Sequence, residues 1–234
     1  MNKNPKNVTE HFEKMAAEYD YWKNKNWYYY EELKRIARVY ANGAKNVLDA
    51  GCGTGNILRS IDIKRGIGID VSPAMIKIAR ERNADRKNIE FFSSNIASFQ
   101  TREKFDLILL MDVIEHLTDP KAVILSLKNL SSNTGRIVIT MANPLWEPIL
   151  ILGEKLGLKM PEGPHYRLPG DQLITMAKTS GLRLETREWC LIFPKYIPFI
   201  SWLVNYLGRL PLLKRLCVIE VFVFNQIAPV GKIN

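Results

Sequence analysis

Hydrophobic positions along the chain keep two different rhythms. Over the first 45 residues they recur at helical spacing, first Phe12, Met15, Ala16 and Tyr19, then Leu33, Ile36, Ala37 and Tyr40. This spacing predicts two helices. The second should stop at Asn42-Gly43, because glycine adopts a left-handed cap without steric cost. From Lys45 the rhythm changes to short apolar runs separated by amphipathic stretches. Residues 46–50 (NVLDA), 67–70 (IGID), 89–92 (IEFF), 105–111 (FDLILLM) and 136–141 (RIVITM) predict strands, with helices near 56–61, 73–82 and 121–130. Ser72 followed by Pro73 is a helix start, a capping side chain ahead of a residue suited to the first turn. Strands that alternate with helices and are apolar almost throughout belong in a parallel sheet covered on both faces. Right-handed crossovers then make a doubly wound α/β sheet.

Beyond Asn143-Pro144 the pattern loosens. Residues 146–156 predict an amphipathic helix, 161–170 a loop rich in proline and glycine, and 171–180 a capped helix stopped by Gly181. Residues 182–190 and 217–224 predict two late strands. No linker separates a second unit, so 1–234 reads as one domain. Its parts are a helical N-terminal section (1–44), a strand–helix core (45–143) and an inserted section with the late strands (144–234).

Composition narrows the function classes. Of 234 residues, 47% are hydrophobic and 24% charged, ordinary values for a folded chain and not for a disordered or collagenous one. There are 33 Lys and Arg against 24 Asp and Glu, a formal charge of +9. That permits a nucleic acid, an anionic membrane surface or an acidic ligand. Cys52, Cys190 and Cys217 stand far apart without a CxxC, which suggests neither a zinc site nor a disulfide framework. The polar start, MNKNPKNVTE, lacks the apolar core of a secretory signal, and no run is long and apolar enough for a spanning helix. A cytoplasmic protein is expected.

The strongest chemical signal is 47–55, VLDAGCGTG. A strand runs into a glycine turn and then a helix, so backbone can approach a ligand closely and free N–H groups face it. The spacing is G-x-G-x-G. Asn56 occupies the place of the third glycine in the dinucleotide fingerprint, and no GxxxxGK[ST] run is present, so nicotinamide and nucleoside-triphosphate readings lose weight. Asp70 closes the second predicted strand, where a carboxylate can accept both ribose hydroxyls of an adenosine ligand.

These residues resemble the class I S-adenosylmethionine-dependent methyltransferases, over about residues 8–224. VLDAGCGTG is similar to their first motif, GIDVSPAMIKIAR to the second, FFSSNIASF to the third and FDLILLMDVIEHL to the fourth. DVIEHL resembles the form in quinone and other small-molecule methylators. WEPILILGEKLGLKMP, FPKYIPF and LPLLKRLC resemble bacterial methyltransferases associated with glycosyltransferases. The resemblance implies a Rossmann-like, doubly wound seven-stranded sheet with the last strand antiparallel, N-terminal helices acting as a lid, and an acceptor-side insertion before the last two strands. It implies S-adenosylmethionine as cofactor. Gly51, Gly53 and Gly55 would wrap its methionine part, and Asp49 would orient that loop or receive the ammonium. Asp70 would bind the ribose, Val71, Met75 and Ile96 would line the adenine, and Met111 would touch the methionyl chain. Asn95 stands where the family commonly has Asp and could accept the adenine amino group through its carbonyl oxygen. Tyr19 resembles an aromatic residue that closes over the cofactor.

The reaction is an in-line displacement from a sulfonium, so the protein mainly aligns a nucleophile in a dry site. His116 and His165 are the candidate bases. Each has a plainer reading, a structural turn histidine and a solvated loop histidine respectively. Glu115 is more simply a cap or ion-pair partner. The aromatic cluster from Tyr19 to Tyr30 reads as an acceptor wall or as two helices packing on the sheet, with Tyr19 and Trp22 favouring the wall. Residues 191–215 hold Lys195, Arg209, Lys214 and Arg215 and no acid, with Tyr196, Trp202 and Tyr206 among aliphatic residues. They read as a membrane-interface segment at the inner face of a membrane, or as a helical connection packed in the core or in a dimer seam. The expected activity is methyl transfer to oxygen, less readily nitrogen or carbon, of a small lipophilic or lipid-linked acceptor such as a quinone-like phenol or a lipid-linked sugar. RNA methylation is the alternative, though no N/D-P-P-Y/F run follows the fourth strand and no RNA module is visible. A non-catalytic protein that binds the cofactor is the third reading.

Overall fold

The computed structural model describes residues 5–161, 163, 168–208, 210 and 212–227. Seven strands form one sheet in the order β3-β2-β1-β4-β5-β7-β6. They are β1 (Asn46–Ala50), β2 (Arg65–Asp70), β3 (Ile89–Ser93), β4 (Phe105–Met111), β5 (Ser131–Ala142), β6 (Leu182–Cys190) and β7 (Ile219–Gln226). Strands β1 to β5 pair in parallel, with Leu48 opposite both Ile67 and Ile108. Strand β7 runs antiparallel between β5 and β6, with Val138 opposite Val223. This is the doubly wound sheet with an antiparallel last strand that the pattern and the resemblance imply.

The sheet is apolar on both faces because both faces are covered. Val47, Leu107, Leu109 and Val138 pack toward α2 (Trp27–Ala41), α3 (Asn56–Arg59) and α4 (Pro73–Arg82). Their chain neighbours Leu48, Ile108, Leu110 and Ile137 pack toward α5 (Pro120–Leu130) and α7 (Gly170–Thr179). Alternation of side chains across the pleat sends successive residues to opposite layers, so a strand buried twice has no polar period.

Local signals are used as expected. Ser72 Oγ accepts the Met75 N–H at 3.2 Å with Pro73 in the first turn of α4. Asp119 caps α5 through the Ala122 N–H. Gly43 takes φ +81° just past the end of α2.

The inserted section carries the expected 146–156 helix and one helix more. Helix α6 (Glu147–Lys155) forms, but none of its residues is buried. A further helix, α8 (Ile200–Leu207), lies between β6 and β7, and of its residues only Ser201 is buried. Their apolar faces are therefore not part of the sheet core.

The N-terminal α1 (Pro5–Lys25) lies across the C-terminal ends of the parallel strands. Three sets of contacts hold it there. Glu13 Oε2 accepts from Ser72 Oγ at 2.5 Å and from the Ala74 N–H at 3.2 Å, at the start of α4. Asp20 accepts from Thr54 Oγ1 at 2.9 Å and Asn56 Nδ2 at 3.1 Å, and pairs with Arg82. On the other side, Lys25 Nζ donates to the Gly157 carbonyl at 2.7 Å and His11 Nε2 lies 2.9 Å from the Pro161 carbonyl oxygen.

Candidate active site

A cavity of about 400 Å³ opens between α1 and the ends of the parallel strands. Its floor is the turn after β1. Gly51 has φ +83° and Gly53 φ +51°, and Asp70 draws the turn toward β2. Asp70 Oδ2 accepts the Gly53 N–H and Oδ1 accepts the Ser72 N–H, each at 2.9 Å. A Cβ on Gly51 would lie 2.4 Å from Val113 Cγ2, and one on Gly53 would lie 3.0 Å from the Tyr19 ring. The turn thus needs glycine for its conformation and for the space that Val113 and Tyr19 take.

Of the residues expected here, Tyr19, Asp49, Gly51, Gly53, Asp70, Val71, Met75, Asn95, Ile96, Met111 and His116 all line this one cavity. Gly55 is not on its wall. It takes φ +76° at the cap of α3, and a Cβ there would meet Asn83 and Phe91 at 2.8 Å. Its missing side chain serves helix packing one layer behind the cavity. Asn95 also differs in detail. The side-chain oxygen expected to take an amino group already accepts the Ala97 N–H at 2.8 Å, capping a short turn. His165 lies outside the described residues.

Four further groups enter the cavity: Lys23 and Asp112, which pattern and resemblance did not single out, and Tyr29 and Tyr30 of the aromatic cluster. Lys23 follows Tyr19 by one helical turn, so both project from the same face of α1. Its Nζ lies 4.3 Å from the centre of the Tyr19 ring and 5.0 Å from that of Tyr30. Asp112 follows β4 in a left-handed conformation, φ +54°. Its amide donates to Thr140 Oγ1 at 3.0 Å, its Oδ1 accepts from that hydroxyl at 2.8 Å, and its Oδ2 accepts from Tyr29 Oη at 2.7 Å. A non-glycine residue held by three contacts in a costly conformation, at the end of a strand facing a cavity, is characteristic of functional positions. Tyr29 and Tyr30 complete the set. The sequence signal for Asp112 was its place directly after a parallel strand, where this fold gathers its ligand groups.

The electrostatics follow from burial. Asp49 is 1% exposed and its Oδ2 has no hydrogen-bond partner. Burial pushes its carboxyl up to about 7; Lys23 pulls it down and Asp70 raises it further. Asp70 is also raised by burial, against the hydrogen bonds from Ser72 and Gly53. Loss of water draws the Lys23 ammonium down, while Asp20, Asp49 and Asp112 hold it up. Tyr29 is raised by burial and by the Asp112 charge it donates to. His116 is buried, edge-on to the Phe12 ring at 5.4 Å between centres. Beyond it the wall is mostly apolar, with Trp146, Ile149, Leu150, Met160 and Phe193, and it carries Lys159 and Lys195.

This donor set fits the cofactor that the resemblance implies. An unsatisfied buried carboxylate oxygen, a glycine cradle roofed by an aromatic ring and a second carboxylate at the end of β2 suit a ligand with an ammonium, a sulfonium and a ribose.

Known proteins agree. A family model described as a methyltransferase domain matches residues 41–172. The chain is 37% identical over 146 residues to the ubiquinone biosynthesis O-methyltransferase of Pasteurella multocida (strain Pm70), covering 53% of this chain and 60% of that protein. It is 31% identical over 184 residues to the ubiquinone biosynthesis O-methyltransferase of Glaesserella parasuis serovar 5 (strain SH0165), covering 70% of this chain and 77% of that one. The N-methyltransferase NodS from Bradyrhizobium japonicum WM9, in complex with S-adenosyl-L-homocysteine, has the same fold, with a TM-score of 0.66 at 20% identity over 94% of this chain and 98% of NodS. The matched model spans more than half of the sequence, and the sheet, the turn and the two carboxylates are in place: the chain belongs to the class I S-adenosylmethionine-dependent methyltransferases.

Proposed function

We propose that this methyltransferase transfers the methyl group to an oxygen nucleophile of a small, lipophilic acceptor, a quinone-like phenol or the hydroxyl of a lipid-linked sugar. The observation that carries the reading is the polarity gradient of the cavity. Four charged groups, Asp49, Asp70, Asp112 and Lys23, gather at the glycine turn, and the far wall is mostly apolar, Phe12, Trp146, Ile149, Leu150 and Phe193, with Lys159 and Lys195 among them. An apolar wall selects an apolar body, and a few convergent polar groups orient its reactive end. The ubiquinone-biosynthesis relatives support the same acceptor class.

The cofactor supplies an activated methyl on a positive sulfur, and the residues need only align, desolvate and take up a proton. Asp70 accepts the ribose hydroxyls with the lone pairs left by Gly53 and Ser72. Asp49 receives the ammonium, and Gly51 and Gly53 let backbone lie against the methionyl chain, beside Met111. Val71, Met75 and Ile96 form the adenine wall, with Asn95 at its polar edge. Residues 1–44 act as the lid, 45–143 as the cofactor core and 144–234 as the acceptor side, with Tyr19 closing over the cradle. His116, at the boundary between the polar and apolar walls, takes the acceptor's proton; His165 is the second candidate for that role. A cytoplasmic location suits an acceptor presented at the inner face of a membrane, met through 191–215.

The test is transfer of labelled methyl to lipid extract, small phenols, sugars and RNA. Label in lipid or phenol is expected. Label in RNA alone would overturn the acceptor class, and no label with intact cofactor binding would point to a non-catalytic binder. His116→Gln should lower kcat at neutral pH by about 10²-fold or more with KM for the cofactor unchanged.

A further inference from the structure

The geometry points to a composite face of α6, the 191–216 segment and the start of α2 as the surface by which the chain docks on an anionic lipid bilayer, beside the mouth of the acceptor cavity. The inference rests on the lipophilic-acceptor reading and names where such an acceptor would enter.

The pieces are joined into one face. Trp146 Nε1 donates to the Leu216 carbonyl at 2.7 Å, and Asn143 Nδ2 donates to the Arg215 and Cys217 carbonyls, each at 2.8 Å. Lys195 Nζ bridges Asn26 Oδ1 at 2.5 Å and the Leu158 carbonyl at 3.4 Å. The Tyr196 ring packs against Trp27 and Tyr28, at 5.3 and 5.6 Å between centres.

What this face presents is apolar and aromatic. Phe199 and Leu212 are each 92% exposed and Trp202 is 70% exposed, with Leu152, Leu203 and Tyr206 also in solvent. The exposure of Phe199 is built in. Ser201, fully buried, accepts the Ile197 N–H at 2.6 Å and donates to the Lys195 carbonyl at 3.0 Å, and this clamp holds Phe199 at φ +61°. A bulky side chain rarely takes that conformation, so the local fold works to keep the ring outward.

Charge selects the occupant. Residues 191–215 carry four basic side chains and no acidic one, α8 carries no charge at all, and α6 adds Glu147 and Glu154 against Lys155. Exposed aromatic and aliphatic side chains in a basic segment are suited to a bilayer interface with anionic headgroups. No helix among the described residues is long and apolar enough to cross a membrane, so the contact lies in the interface plane. Ile149, Leu158, Phe193, Pro194 and Lys195 belong both to this region and to the cavity wall, which makes the entrance continuous with the lipid side.

The full chain should sediment with vesicles of phosphatidylcholine and phosphatidylglycerol, and far less with phosphatidylcholine alone or at high salt. A Phe199→Ser, Trp202→Ser double variant and a Lys214→Glu, Arg215→Glu double variant should each lose about 10-fold or more in vesicle affinity. Both should keep transfer to a short water-soluble phenol without vesicles, which also shows that they fold. Brominated lipid should quench wild-type tryptophan emission more than that of Trp202→Phe. Wild-type chain that stays in the supernatant, or variants that bind as well as wild type, would overturn the docking face. So would a wild-type dimer that Phe199→Ser converts to monomer, since a second copy would then be the occupant. Vesicle binding without transfer to any lipid or phenol would count against the acceptor reading alone.

Discussion

At the scale of single residues, Asp49 and Asp70 are two buried carboxylates with different duties. Asp70 has both oxygens anchored by backbone N–H groups, which fixes its direction. Asp70→Ala is expected to abolish the cofactor-induced rise in Tm, and a retained rise would show that the ribose sits elsewhere. Asp49 has one oxygen without a partner and a carboxyl raised by burial to about 7. Its folded value lies above its unfolded one of about 4, so between about pH 4 and 7 the folded state holds a proton that the unfolded chain has released. The stability of the ligand-free protein therefore falls across that window and levels off above about 7, where the carboxylate is charged in both states. A cationic ligand reverses this penalty. Cofactor affinity should therefore rise from pH 6 to 8, and Asp49→Asn should weaken binding and flatten that slope in calorimetric titration. Gly51 shows the steric side of the same turn. Gly51→Ala meets Val113 and must hold φ +83°, and a loss of about 1–3 kcal/mol in urea unfolding is expected.

At the scale of elements, α1 is attached to the core by polar contacts more than by packing. Arg82, Thr54 and Asn56 converge on Asp20. Burial works to raise the Asp20 carboxyl, but the Arg82 hydrogen bond and charge, with Thr54 and Asn56, hold it below the usual carboxylate range. Asp20→Ala removes the acceptor that these three donors share. It is expected to cost about 1.5–3 kcal/mol in stability and to raise the cofactor Kd about 10-fold, read by urea unfolding and calorimetry. Asn56, which spoiled the dinucleotide fingerprint, has this positive use, since a glycine there would offer α1 no amide to hold. The helices α6 and α8 show where pattern fell short. Their periodicity was legible as amphipathic for 146–156, but periodicity does not say what an apolar face meets. It is the same signal whether the partner is a sheet, a second chain or a bilayer.

At the scale of the whole molecule, β7 closes the sheet by entering antiparallel between β5 and β6. Phe222 and Phe224 are fully buried there, their rings stacked at 6.3 Å between centres. Phe222→Ala is expected to cost about 3–5 kcal/mol in urea unfolding, because a cavity opens where the surrounding layers cannot close. The sequence by itself determined the strands, their burial on both faces, the glycine turn and the carboxylates near the ends of β1 and β2. These signals are local, since a run of apolar residues, a turn and a cap each act within a few positions of the chain. Tertiary structure alone decided that Lys23 and Tyr29 from the N-terminal helices meet Asp49 and Asp112 from the strand ends, and that Gly55 serves packing and not the cavity wall. It also decided that the apolar faces of α6 and α8 stay outside the core. Such meetings join residues tens of positions apart, and only the packing of helices over the sheet brings those side chains within reach of one another.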